Sequence, residues 1–356
     1  MNSNLYINGA GIISPQVTFE ESFLPSVQEY TDNILLCITP DFKEYINPIQ
    51  LRRLSRMLRI GLSAATISLR DAGINVPDGI ITATGYGFLN EAAKFLHEIL
   101  EQQEKHLTPT HFMQSTYNAL AGLVALSVKC MGYNNTYVSK GFSFENALHD
   151  SMIQLQDHYA ATFLVGGYDE ASDVQYKANL RAGHYKPEKV SNLKLFESST
   201  TGTLQGEGAA FFVLSNKPSS STRCELVDVE TIYRPRTSSE LAQAVMDFLQ
   251  KNQLAPEAVN LWIDGSSGDT RNDALINSVG QSLLTDAARV RFKHLCGEYC
   301  TASAFALWLG ATILRNQTVP ECVKVGNDAN GKPLKTILIL NHYMGRNYSL
   351  ILLRKN

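Results

Sequence analysis

The sequence predicts an α/β protein built from two similar halves. Short apolar runs alternate with amphipathic segments of helical periodicity along most of the 356 residues, which is typical of strands covered by helices on both faces. A polar stretch with Pro and Ser residues, 216–222, interrupts this pattern, which then restarts in compressed form. We therefore expect an N-terminal half over 1–215 and a shortened C-terminal half over 223–356.

In the N-terminal half, apolar runs bounded by turn residues predict five strands, and segments of 3.6-residue periodicity predict four helices. The strands are expected at 4–13, 79–84, 135–138, 161–165 and 208–214. The helices are expected at 51–72, 90–103, 115–130 and 143–159. The first helix is predicted to stop at Gly73, because glycine adopts the left-handed conformation that commonly ends a helix.

The C-terminal half repeats this order with fewer residues. Strands are expected at 224–229, 259–263, 336–340 and 348–353, with helices at 238–251, 269–283 and 301–315. The last two strands are joined by a short polar segment and predict a hairpin with Gly345 in its turn.

Composition excludes several classes of function. The apolar content of 44% predicts a globular protein with a large core, and a net charge of -3 without a long basic run argues against nucleic acid as a partner. No signal-peptide pattern and no membrane-spanning apolar run is evident, so a cytoplasmic protein that does not enter membranes is expected. The six cysteines are scattered in apolar segments and predict buried thiols instead of disulfides.

Neither a metal nor a cofactor is expected. His294, Cys296 and Cys300 lie close together in the sequence, but their spacing matches no standard zinc pattern.

The most informative segment is a predicted strand that turns sharply into a buried helix, Tyr137-Val-Ser-Lys-Gly-Phe-Ser-Phe-Glu-Asn-Ala-Leu148. Acyl-transferring folds use such a turn to expose a nucleophile at the amino end of a helix. Here the turn holds Gly141 and no cysteine. A glycine has no side chain that can carry an acyl group.

Five motifs resemble, in order along the chain, landmarks of the beta-ketoacyl-[acyl-carrier-protein] synthases. They are Asp71-Ala-Gly-Ile74, Asn118-Ala-Leu-Ala-Gly122, Gly166-Gly-Tyr-Asp-Glu170, Gly206-Glu-Gly-Ala209 and Asp264-Gly265. The resemblance implies the thiolase-like fold, in which two βαβαβαββ halves stack in five αβαβα layers. This architecture agrees with the doubled pattern of the sequence.

The resemblance also implies where the family's catalytic groups belong. The family uses a nucleophilic cysteine and two histidines, and the corresponding positions hold Gly141, Asp264 and Glu298, with Lys293 retained. A carboxylate repels the negative charge that develops during condensation unless it is protonated. We therefore expect no ordinary condensation by this chain alone.

Ketosynthase-like chains without the nucleophile are known as chain length factors, which pair with an active ketosynthase. This chain resembles them, although they often have Gln where it has Gly141. The resemblance implies a non-catalytic subunit of a type II fatty acid or polyketide system, such as those that make aryl polyenes, with an acyl carrier protein as a further partner. Possible carrier contacts are the basic residues Arg52, Arg53, Arg56 and Lys186.

In this fold, a loop before the central interface helix reaches across the dimer axis. That loop is expected at Thr108-Pro-Thr-His-Phe-Met-Gln114. Strand 135–138 is expected to pair with its counterpart in the partner. The residues predicted to line or gate the acyl tunnel are His111, Phe112, Met113, Phe142, Met344 and Gly345.

Two alternatives remain open from the sequence. One is an acyltransferase or hydrolase of altered chemistry that uses Ser139, Ser143 or the carboxylates of Asp264 and Glu298. Ser143 is also well placed to cap the following helix. The other alternative is a homodimeric acyl-binding scaffold that has kept only the fold.

Overall fold

A computed structural model describes residues 5–20, 23–157, 160–326 and 333–356. Asn4 and Tyr159, at the ends of two predicted elements, lie outside these residues. The strands of the described residues are β1 Leu5–Ile13, β2 Ile34–Leu35, β3 Gly79–Ala83, β4 Tyr133–Tyr137, β5 Thr162–Asp169, β6 Gln205–Gly206, β7 Gly208–Ser215, β8 Cys224–Tyr233, β9 Leu261–Gly265, β10 Ala288–Arg291, β11 Lys324–Val325, β12 Thr336–Tyr343 and β13 Asn347–Arg354.

The α-helices of the described residues are α1 Pro48–Leu51, α2 Arg56–Ala72, α3 Leu89–Glu101, α4 Pro109–Ser115, α5 Ala119–Val128, α6 Ser143–Gln156, α7 Asp173–Arg181, α8 Ser238–Lys251, α9 Ala274–Ser282, α10 Lys293–Cys296 and α11 Ser303–Asn316. Within the parts of the chain that the structure describes, no helix is both long enough and apolar enough to cross a bilayer.

The two halves of the sheet have the same strand order. The first half runs β4-β3-β5-β7-β1 and the second runs β10-β9-β12-β13-β8, with short β11 beyond β10. In each half the fourth strand of this order, β7 or β13, is antiparallel to both neighbours, whereas the first three strands are mutually parallel. β1 and β8 pair antiparallel and join the halves. This is the predicted α/β fold of two βαβαβαββ units.

Helices α6 and α11 form the middle layer. α6 contacts β5 and β3 of the first half and β8 of the second, and α11 contacts β12 and β13 as well as β7 and β1. α2 and α5 cover the outer face of the first half, and α8 and α9 pack together with a separate core on the outer face of the second. The order of layers is therefore αβαβα, as the resemblance implies.

Two glycines allow α2 to pack closely on β1. A Cβ atom at Gly9 would lie 2.5 Å from the carbonyl oxygen of Ser68, and one at Gly11 would lie 2.3 Å from that of Ala64. α2 ends at Gly73, whose φ of 68° is left-handed as predicted.

Some predicted elements differ from the structure. The predicted helix 51–72 begins only at Arg56 of α2, because Leu51 is the last residue of α1, and the predicted helix 115–130 begins only at Ala119 of α5. Strand β10 and helix α7 were missed, because Arg289 and Arg291 break the apolar pattern of β10 and α7 has mainly polar residues. The predicted segment 108–114 is mostly helix α4 and not a loop, with a proline in its first turn.

Candidate functional site

The sharp turn predicted at Gly141 is present. β4 ends at Tyr137, a single 3-10 turn covers Lys140–Phe142, and α6 begins at Ser143. The backbone of Lys140 is left-handed, with φ of 52°. Gly141 is buried at the amino end of a buried helix, where a helix dipole favours an anion.

Tyr343 occupies the space that a side chain at Gly141 needs. A Cβ atom on Gly141 would lie 2.6 Å from Cβ and 2.8 Å from Cδ1 of Tyr343, distances that real Cβ atoms essentially never show. Tyr343 is the last residue of β12 and is buried. Met344 and Gly345, the next two residues, were predicted to gate the tunnel, whereas Tyr343 was missed, although its aromatic side chain directly before the turn was a usable signal.

The interior beside Glu298 is closed. The small cavity there is lined by tyrosines 86, 185 and 299 with Cys300 and Glu298, and its volume is about 10 Å³. A single water molecule needs about this much space, so no acyl chain fits without rearrangement. Large aromatic side chains thus fill the region where the family resemblance implies a substrate pocket.

Glu298 and Lys293 form a fully buried ion pair. Lys293 Nζ donates to Glu298 Oε2 at 2.8 Å and to the carbonyl oxygen of His342 at 2.5 Å. Burial raises the pKa of the Glu298 carboxyl, and the neighbouring ammonium of Lys293 opposes that shift. The Glu298 carboxylate is therefore engaged in a structural ion pair.

Asp264 lies at the end of β9 in a cluster of arginines. Its Oδ2 accepts from Arg289 at 2.6 Å and Arg291 at 2.8 Å, and its Oδ1 accepts from Ser266. Among the described residues, these side chains and the Ser266 amide are its hydrogen-bond partners. Asp264 and Glu298 therefore do not share a hydrogen bond, and each carboxylate is held by cationic partners of its own.

Of the alternative nucleophiles, Ser143 is held in structural contacts and the two cysteines are buried, whereas Ser139 is exposed. Ser143 Oγ donates to the carbonyl oxygen of Lys140 at 2.8 Å and accepts from the amide of Ser139 at 2.7 Å. Ser143 is the first residue of α6 and not its cap. Burial raises the pKa values of the Cys296 and Cys300 thiols well above the usual range.

His294 also has a structural contact. Its Nε2 lies 2.7 Å from the carbonyl oxygen of Cys322, and burial lowers its pKa to about 4. In the described parts of the chain, no three His, Cys, Asp or Glu side chains converge on a possible metal position.

The predicted tunnel residues lie in two places. His111, Phe112 and Met113 are on α4, where His111 Nδ1 lies 2.7 Å from Glu91 Oε2 and the ring of Phe112 lies 5.3 Å from that of Phe95. The other three border a surface groove: Met344 and Gly345 line it, and the ring of Phe142 lies 6.4 Å from that of Tyr233, another lining residue.

The α4 side of the molecule exposes large apolar side chains. Phe112 is 55% exposed and Met113 is 67% exposed. Beyond them lie Leu126 of α5 and Met131, which are 79% and 96% exposed. β4 is the last strand of the sheet on this side, so one of its edges has no neighbouring strand within the described residues.

The basic residues predicted to contact a carrier protein differ in their exposure and pairing. Arg52 and Arg53 are exposed, whereas Arg56 pairs with buried Glu207 at 2.5 Å. Lys186 is fully buried, and its Nζ donates to the hydroxyl of Thr200 and the carbonyl oxygen of Gly268. Lys186 is therefore wrong as a carrier-protein contact, because its ammonium does not reach the surface.

The doubled five-strand topology and the turn at Gly141 are the features of a ketosynthase-like protein with a thiolase-like fold. The family model of the beta-ketoacyl synthase N-terminal domain matches residues 28–219, more than half of the chain. The chain belongs to the beta-ketoacyl synthase family.

One curated relative is 3-oxoacyl-[acyl-carrier-protein] synthase 2 of Synechocystis, which is 22% identical over 193 residues. The match covers 51% of this chain and 46% of the relative, so it spans about half the length of that protein.

Solved structures match over the whole chain. The ishigamide ketosynthase/chain length factor has a TM-score of 0.84 at 15% identity, with both chains covered completely. A type II polyketide acyl-carrier protein in complex with its ketosynthase has a TM-score of 0.78 at 13% identity, again with full coverage of both chains. A beta-ketoacyl synthase from Burkholderia phymatum has 0.73 at 15% identity, covering 99% of this chain and 100% of that one. At these identities the likeness establishes the fold.

Proposed function

We propose that this chain is a non-catalytic subunit of the chain length factor type, which pairs with an active beta-ketoacyl synthase and shapes the tunnel for the growing acyl chain. The observation that carries the proposal is the filled site: Gly141 lies against Tyr343, and the cavity beside Glu298 measures about 10 Å³. A site without a nucleophile and without space for substrate cannot form an acyl-enzyme in this state.

The groups at the family's two histidine positions support the same function. Glu298 is paired with Lys293, and Asp264 is paired with two arginines. Each carboxylate accepts hydrogen bonds, so neither presents the pair of donors that an enolate oxygen requires. The fold is retained while the groups that perform condensation are replaced.

The exposed face supports pairing. Phe112 and Met113 are poorly covered in the isolated chain, and exposed apolar side chains continue along α5 to Met131. The free edge of β4 offers main-chain groups for a strand from another subunit. Exposed large apolar side chains beside a strand edge are typical of an interaction site.

The names of the structural neighbours support the choice of partner. One is a ketosynthase/chain length factor, and another is a carrier protein in complex with its ketosynthase. By analogy, this chain pairs with an active ketosynthase whose product is carried on an acyl carrier protein. His111, Phe112 and Met113 then border the partner's acyl tunnel, and their bulk limits the chain length.

Mass spectrometry after incubation with an acyl thioester tests the absence of acyl transfer. The purified chain is expected to gain no acyl mass, while an active ketosynthase from the same gene neighbourhood gains one acyl group under the same conditions. A covalent adduct on Ser139, Ser143 or a cysteine contradicts the proposal and identifies an enzyme of altered mechanism.

Product analysis of the assembled pair tests the tunnel. Phe112→Ala removes an aromatic side chain from α4 and is expected to lengthen the products. Leu100→Ala is a matched control, because Leu100 is an exposed apolar residue of neighbouring α3. An unchanged product distribution for Phe112→Ala, in a pair that still assembles, contradicts this role.

Co-expression with the ketosynthase separates pairing from a homodimeric scaffold. A tagged chain is expected to retain the ketosynthase in equal amount, as measured by native mass spectrometry. Recovery of only a homodimer in the presence of the ketosynthase favours the scaffold.

A further inference from the structure

A groove of about 640 Å³ opens where α2 and α11 end. Its lining comes from these two helix ends, from β1 and from the segment that follows β1. Among the described residues, the groove shares no lining residue with the cavity beside Glu298. Its size lies within the range of small-molecule sites, about 300–1,000 Å³.

Aromatic side chains form the apolar part of the groove. Phe19, Phe23, Tyr45 and Trp308 belong to its lining. The ring of Phe23 lies 5.6 Å from that of Trp308 and nearly perpendicular to it, and Phe305 packs on Trp308 from within the core at 5.4 Å. These contacts hold the indole in place, so the groove has a rigid wall against which another ring can pack.

Trp308 also brings a polar group to the groove. The residue is only 6% exposed. Buried tryptophans usually donate the indole N–H to a hydrogen-bond acceptor, but no described residue accepts from Trp308 Nε1. An oxygen atom of a bound molecule would satisfy this donor.

The charged part of the groove has a small positive excess. Three arginines, Arg70, Arg223 and Arg315, and two acids, Glu20 and Asp71, line it, which gives a net charge of +1. Asp71 serves two of the arginines, since it pairs with Arg223 at 2.8 Å and with Arg315 at 3.2 Å. The third arginine is left without a carboxylate of its own.

Arg70 is held in place by contacts that do not neutralise it. Its guanidinium lies 5.1 Å from the ring centre of Tyr45, and its Nη2 donates to the carbonyl oxygen of Glu44 at 2.9 Å. In the part of the chain that the structure describes, Arg70 takes part in no ion pair. Its remaining N–H groups are available to an anion, and the planar guanidinium matches a carboxylate with two parallel hydrogen bonds.

We propose that this groove is a binding site for a small aromatic carboxylate. The carboxylate of the ligand pairs with Arg70, and its ring packs against Phe23 and Trp308. A monoanion matches the net charge of +1, whereas the carboxylates of Glu20 and Asp71 repel a dianion such as a phosphate monoester. The inference does not require pairing with a ketosynthase.

Isothermal titration calorimetry with 3-phenylpropionate tests the proposal on the wild-type chain. The compound is expected to bind with a Kd of about 1 mM or lower. Its uncharged analogue 3-phenylpropanamide is expected to bind roughly tenfold more weakly, because it loses the charged hydrogen bonds to Arg70. No binding of the carboxylate at millimolar concentration, or equal affinity for the two compounds, overturns the proposal.

Tryptophan fluorescence places the ligand. The chain has two tryptophans, of which Trp308 lines the groove and Trp262 does not. Saturating 3-phenylpropionate is expected to change the emission of the wild-type chain with the same Kd as the calorimetric titration. Binding heat without any change in emission locates the ligand elsewhere and overturns the assignment to this groove.

Arg70→Gln tests the residue that pairs with the carboxylate. The variant is expected to weaken 3-phenylpropionate binding roughly tenfold, since it removes a charged hydrogen-bond donor at an exposed position. Arg52→Gln removes the same charge at an exposed position outside the groove and is expected to leave the affinity unchanged. Equal loss in the two variants, or no loss in Arg70→Gln, contradicts the pairing.

Phenyl phosphate distinguishes the kind of anion. It carries a similar ring but about two negative charges near pH 8, and it is expected to bind more weakly than 3-phenylpropionate because Glu20 and Asp71 repel the second charge. Equal or tighter binding of phenyl phosphate means that the groove attracts anions without selecting a carboxylate, and it contradicts the proposed ligand class.

Discussion

Two regions of the molecule differ in how their side chains are packed and paired. One is the closed interior around Gly141, and the other is the exposed face formed by α4, α5 and the edge of β4. In the interior, Tyr343 packs on Gly141 and Lys293 pairs with Glu298. On the exposed face, Leu126 and Met131 project from the surface. The difference teaches that the interior is packed and paired as structural core, so substitutions there are expected to change stability, whereas substitutions on the exposed face are expected to change assembly.

The largest effect is expected for Lys293→Ala. It leaves the carboxylate of Glu298 buried without its counter-ion, and breaking a buried pair in this way lowers the free energy of unfolding by about 3–5 kcal/mol. Urea denaturation measures the change. Lys335→Ala, at an exposed position, is the control. A loss below about 1 kcal/mol shows that the pair is not part of the core.

A smaller, pH-dependent effect is expected from Glu170, which lies next to the interior cavity. Burial raises the pKa of its carboxyl from 4.5 to about 7. A carboxyl whose pKa is higher in the folded state favours folding at low pH, and this contribution is lost as pH rises from about 4.5 to about 7.

Glu170→Gln removes this titration. The variant is expected to match the wild type near pH 4.5 and to exceed its free energy of unfolding by roughly 2–3 kcal/mol near pH 8. Denaturation at both pH values measures the difference, with the exposed Glu257→Gln as control. An equal difference between variant and wild type at the two pH values contradicts the prediction.

Gly141→Ala adds one methyl group to the interior. Because that group meets Tyr343, the free energy of unfolding is expected to fall by about 1–2 kcal/mol, the lower part of the range for overpacking. Gly122→Ala is the matched control, since a Cβ atom on Gly122 of α5 meets nothing within 4 Å. Similar stability changes for the two variants would mean that Gly141 is no more crowded than a helix surface.

The smallest effect on stability is expected on the exposed face. Leu126→Arg changes a residue that is 79% exposed near the end of α5, and the isolated chain is expected to change by less than about 0.5 kcal/mol. Co-purification with the ketosynthase is expected to be lost, because the interface would bury an unpaired charge. Retained co-purification places the interface elsewhere.

Much of the fold could be predicted because its signals are local. Helix α8 has the predicted bounds 238–251, and Gly73 ends α2 through its backbone conformation. Strand β10 could not be predicted, since its Arg289 and Arg291 are charged residues that the fold pairs with Asp264 on neighbouring β9. Periodicity detects a buried face but not charges that neutralise each other across strands.

The sequence predicted which residue types lie at the candidate site, but it did not predict how they pack. Gly141 and the retained Lys293 follow from motif positions, but the closure by Tyr343 depends on a contact between residues about two hundred positions apart. Lys186 shows the opposite error, because a lysine expected on the surface satisfies its ammonium inside the fold. Distances of this kind are set by how the two halves pack.

The sequence by itself determined the class of fold, the doubling of the chain and the absence of a side-chain nucleophile at Gly141, because these depend on residue identity and local periodicity. Only the tertiary structure decided that the interior is filled and that Asp264 and Glu298 are bound in separate ion pairs. Those properties come from side chains distant in sequence that approach each other only when the sheets and the middle helices pack, and burial then fixes which charges must be paired.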